Sequence, residues 1–128
     1  MWQDDPCDHN SPISDAPGNL RSSYIVTGPI RVYEINVYSS SVAAQFILMW
    51  DRSILPADTS VPMFTFNIGA SSALGVYYGE MGRVFHQGLV LCNSTTDTTK
   101  TIGSANCFFD IEYDFLPTLP RGQSSGVQ

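Results

Sequence analysis

Charge is scarce in this chain. Only 14% of its 128 residues are Asp, Glu, Lys or Arg, against about a quarter in an ordinary soluble domain. A surface so short of charge is easily covered by another protein, and an assembly partner is the simplest cover. Cations are scarcest of all, six against twelve carboxylates, for a net charge of -6. They are scattered as Arg21, Arg31, Arg52, Arg83, Lys100 and Arg121. Nucleic-acid affinity comes mainly from cations that neutralise phosphates. The composition therefore excludes nucleic acid as an expected partner, and an anionic membrane with it.

Groups that carry chemistry are also few. The two histidines are His9 and His86. His9 falls in a polar segment, and His86 follows Phe85 on the opposite side of an expected strand, so it reads as a solvent-facing or interface residue. A nucleophilic site needs a serine or cysteine beside an oriented base, and no G-x-S-x-G elbow is present. Asp110, Glu112 and Asp114 sit at period two and point one way, which marks a solvated sheet face more than a pair of catalytic carboxylates in differing environments. Cys7-Asp8-His9 is a fragment of a metal site without the remaining ligands that structural zinc requires. The sequence gives no catalytic residue, no metal ligand set and no cofactor site.

The three cysteines, Cys7, Cys92 and Cys107, are an odd number. No cationic and apolar leader follows Met1, so the expectation is a protein made in a cytoplasm, with Cys92 and Cys107 as reduced core thiols. The longest apolar run, Val42 to Trp50, is too short to cross a bilayer. Asn93-Ser94-Thr95 fits a glycosylation sequon, but without a leader it marks only a turn.

What the chain does have is β patterning. Tyr33, Ile35 and Val37 alternate with polar neighbours, as do Phe64, Phe66 and Ile68, and Cys107, Phe109, Ile111, Tyr113 and Phe115. Period two is that of a strand with one buried face. The run 43–50 is apolar on both faces, and its length and aromatics favour a central strand over a short helix. Gly28-Pro29, Pro56-Ala57-Asp58, Gly69 to Ser72, Gly79, Gly82 and Asn93 to Thr99 punctuate the runs as turns. Strands are expected at about 23–27, 30–39, 43–51, 62–68, 73–78, 83–93, 99–103 and 105–115. The expected fold is all-β, an antiparallel β-sandwich of jelly-roll or Ig-like form. Phe64, Phe66, Phe109, Ile111 and Tyr113 are expected to line one core between its two sheets.

The ends differ in composition. Residues 1–20 and 117–128 are rich in Pro, Gly, Asp and Ser and lack apolar periodicity. They read as an extended N-terminal arm and a C-terminal tail around a domain at 21–116. Trp2 has no local core to join, which suggests a partner surface. The candidate partner-binding residues are Trp2, Asp4 and Asp5 in the arm, with Leu116 and Leu119 at the other end.

A series of stretches carries a resemblance. These are Gly28-Pro29-Ile30-Arg31-Val32-Tyr33-Glu34-Ile35, Ala44-Gln45-Phe46-Ile47-Leu48-Met49-Trp50-Asp51, Leu55-Pro56-Ala57-Asp58 and Val61-Pro62-Met63-Phe64, followed by Phe85 to Ser94 and Lys100 to Cys107. Together they resemble the small β-sandwich proteins of tailed bacteriophage particles, the capsid decoration or cement proteins. The resemblance spans about residues 28 to 115 and neither arm. It implies a structural protein without catalytic residues, on the outer capsid surface, as a homotrimer bound across major capsid protein subunits. A different class stays open: a tail or receptor-binding accessory module that binds host glycan. Such a binder should show aromatics beside polar groups on exposed loops, whereas here the loops are Ser, Thr and Gly-rich and the aromatics sit in strands.

Overall fold

The computed structural model describes residues 9–10 and 20–116. Among them there is no helix and there are nine strands: β1 His9–Asn10, β2 Ser23–Thr27, β3 Ile30–Ser39, β4 Gln45–Asp51, β5 Phe64–Ile68, β6 Ala73–Tyr77, β7 Arg83–Phe85, β8 Gly88–Ser94 and β9 Cys107–Phe115. They form two antiparallel sheets. The first has the order β1-β9-β3-β6, with β7 also on β3, and the second β2-β8-β4-β5. β6 and β7 follow one another along the same side of β3, so they act as one edge strand interrupted at residues 78–82.

The pairings are nested. β4 pairs with β5, β3 with β6 and β7, β2 with β8, and β1 with β9. Each pair encloses the previous one in sequence, so the chain is one long antiparallel ribbon with its tip at residues 52–63. The ribbon rolls up, which sets β9 beside β3 and β8 beside β4. This is the double Greek-key jelly roll, and the strand order selects it over the Ig-like alternative.

Alternation explains the core. Ile30, Val32, Ile35 and Val37 of β3 meet Phe109 and Ile111 of β9, Ile47 and Met49 of β4, and Leu89 and Leu91 of β8 between the sheets. The phase on β3 changes at Tyr33, a bulge that has no opposite number on β9. Of the expected core line, Phe109 and Ile111 are fully buried, and Phe66 and Tyr113 are partly buried against the cluster. Phe64 is a correction. It is 55% exposed, because it starts the edge strand β5 and lies at the rim of the sandwich, edge-on to Phe66 at 4.8 Å.

β4 is apolar on both faces because the second sheet is covered on both sides. Leu48, Trp50, Val90 and Cys92 form a second buried cluster on its outer face, with Phe46 and Leu55 against it. The ribbon tip folds over this cluster, and Trp50 Nε1 donates to Val61 O at 3.0 Å. Three further expectations need correction. The expected strand 83–93 is broken at His86-Gln87. The expected strand 99–103 is a loop with one bridge, Ile102 to Ser94. Asn93 belongs to β8, where it is fully buried and donates to Ser104 O, so the sequon is not a turn. His9–Asn10 adds a short edge strand inside the expected N-terminal arm, while residues 1–8, 11–19 and 117–128 lie outside the described residues.

Candidate functional site

Sheet geometry places the start of β1 and the end of β9 together. His9 is opposite Tyr113 and Asn10 opposite Glu112, in antiparallel pairing. The N-terminal end of β1 and the C-terminal end of β9 therefore lie at the same end of the first sheet. Phe115 pairs there with Ile30, and Ile30 with Phe85. Leu116 is half-buried and donates its backbone N–H to Pro29 O at 3.0 Å. Phe115 is exposed and packs edge-on to Tyr113, with ring centroids 5.4 Å apart. Of the residues expected to bind a partner, Leu116 sits at this end. Trp2, Asp4, Asp5 and Leu119 lie outside the described residues, as does Cys7.

The turn from β7 to β8 belongs to the same end of the molecule. Asp51, the last residue of β4, accepts backbone N–H groups from His86, Gln87 and Gly88 at 3.1, 2.8 and 3.2 Å. Gly88 has φ +144°, and a Cβ there would come within 2.4 Å of Val26 O. Gln87 O in turn accepts from Gly28 N at 2.8 Å, next to the cis Gly28-Pro29 bond. His86 is exposed, as expected, but it sits in this turn instead of on a strand face.

The two loops over the second sheet are tied by an ion pair. Lys100 is only 4% exposed, and its ammonium meets Asp58 Oδ1. Thr59 N donates to Lys100 O and Lys100 N to Ser60 O. The hydrogen bond from Lys100 holds the Asp58 carboxyl below its ordinary value of 3.8. Beside these loops Val61, Pro62, Met63 and Phe64 with Asp97 and Thr98 border a shallow groove of about 550 Å³. Sequence reasoning missed this pair because Asp58 and Lys100 are 42 residues apart and neither carries a local pattern.

The remaining reactive groups are inert by position. Cys92 and Cys107 are buried free thiols on different sheets, and burial pushes each thiol up to about 11. The acidic row on β9 faces outward from the first sheet. Asp114 accepts from Tyr33 Oη at 2.9 Å, and Glu112 is opposite Glu34. Among the described residues no group of three His, Cys, Asp or Glu is arranged to hold a metal ion.

No family model matches the chain, and no curated protein sequence matches it. Among solved structures, the coat protein of tobacco streak virus is similar to it at a TM-score of 0.33 and 11% identity, over 80% of this chain and 81% of that one.

Proposed function

We propose that this protein is a structural component of a virus particle, a cement protein on the outer surface of a phage capsid. The reading is carried by one observation, the rolled-up antiparallel ribbon, because the eight-stranded double Greek key recurs in viral capsid domains. Low charge and the phage resemblance of residues 28 to 115 support it. The same fold also serves lectins and cupins, so the site must decide among them. The placement of the start of β1 beside the end of β9 favours assembly. The chain enters β1 at His9 and leaves β9 through Leu116 at one end of the sandwich. Contacts made at both of these points would reinforce each other, because the second becomes intramolecular once the first has formed.

In this reading the end marked by Phe115 and Leu116 faces major capsid protein, and Trp2, Asp4, Asp5 and Leu119 supply contacts from the arms. The protein assembles as a trimer on the lattice, an inference from the family resemblance that closed symmetry favours. Its net charge of -6 suits an outer position, away from packaged DNA. Separation of heads from tails of the encoding virus tests the location. The protein is expected in the head fraction at a fixed ratio to major capsid protein. Its recovery with tails alone would overturn the reading.

A further inference from the structure

The outer face of the first sheet carries a second groove, of about 250 Å³. Cross-strand register builds it in two rows. Tyr38 of β3 stands opposite Phe108 of β9 and Ala73 of β6, and Asn36 stands opposite Asp110 and Gly75. Tyr38 is 44% exposed. One row is therefore aromatic and the other polar, and both become low towards the β6 edge, where the side chains are a methyl group and a hydrogen. A glycine within a strand weakens it and often marks close approach of another molecule. At Gly75 a Cβ would come 3.2 Å from Asn36 Oδ1 and stand inside the groove. Among the described residues nothing hydrogen-bonds the Asn36 amide.

We propose that this groove binds one neutral pyranose residue of a glycan. A pyranose has an apolar C–H face and a rim of hydroxyls. Aromatic rings supply a flat apolar platform, and an amide both donates and accepts, as a hydroxyl pair requires. The groove matches that division, with Tyr38 and Phe108 on one side and Asn36 on the other. No Lys or Arg lines it, so it offers no cationic partner to an anionic sugar. Strand aromatics, which the sequence places away from loops, are here on an exposed sheet face beside polar groups. The inference is independent of the particle's architecture and holds for a head or a tail protein.

The test is an amide NMR titration of the full chain with glucose, galactose and N-acetylglucosamine in turn. Saturating shifts are expected for at least one sugar, clustered at Asn36, Tyr38, Gly75 and Phe108, with a Kd of about 1 mM for a single residue. G75V fills the groove while keeping both rings and a good strand former, and it should weaken binding by about tenfold or more without lowering Tm. N36A should weaken binding too, and F64A should not. Shifts that fail to saturate with all three sugars, shifts that cluster elsewhere, or unchanged binding by G75V would overturn the proposal.

Discussion

Asp51 holds Gln87 across the end of the sandwich: the carboxylate Oδ1 accepts the Gln87 backbone N–H at 2.8 Å. With His86 and Gly88 it satisfies three successive donors that the strand break leaves unpaired. Loss of a charged acceptor from such donors costs about 2 kcal/mol. D51A should lower the denaturant midpoint accordingly. D51N, which keeps the Oδ1 acceptor for Gln87 and Gly88, should cost less. Equal losses would show that a neutral amide oxygen cannot stand in for the carboxylate, and no loss from D51A would contradict its role in this turn.

The Asp58–Lys100 pair predicts a pH dependence. Because the folded carboxyl lies below the unfolded-chain value of 3.8, the unfolded state binds more protons in acid. The pair's contribution is complete above 3.8 and is lost as pH falls from there through the lowered folded value. D58N leaves the buried Lys100 ammonium without its carboxylate and should be less stable than wild type at neutral pH. The gap should close in strong acid. Urea unfolding of both proteins across pH checks this, and a gap independent of pH would contradict it.

The thiols give a simpler readout. With Cys92 and Cys107 pushed to about 11 and buried, little thiolate is available at pH 8. Iodoacetamide treatment of the native protein, followed by mass spectrometry, should leave both unmodified. Denatured protein should be alkylated at both. Rapid labelling of either in the native state would contradict the packing described above.

Phe109 and Phe64 should separate cleanly. F109A empties a fully buried site and should cost about 3–5 kcal/mol. F64A loses mainly an edge contact with Phe66 and should cost about 1 kcal/mol. Comparable costs would place Phe64 in the core after all.

That contrast also shows what the sequence could reveal. Alternation predicts β3 at 30–39 to the residue and locates β9 closely, because each has one face in the core. It cannot tell Phe64 from Phe66, since period two fixes the side of a strand but not its distance from the rim. The apolar run at 43–50 is legible as a strand covered on both faces, but not what covers it. That cover depends on Asp58 and Lys100 meeting across 42 residues. The break at His86-Gln87 is invisible locally, because the group that stabilises it is Asp51, on another strand. β1 has two residues and no apolar signal, so its pairing with Tyr113 and Glu112 appears only in three dimensions. The Asn36–Gly75 groove is hidden for the same reason: three strands build it.

The cement reading is tested most directly by heating particles. Virions of the encoding virus made with and without this protein would be warmed in parallel, and DNA release followed with an intercalating dye. Added interface across capsid joints must be broken before the shell opens, so particles lacking the protein should release DNA at lower temperature, and adding purified protein back should return them to the release temperature of complete particles. Identical release curves for complete and deficient particles would contradict the account.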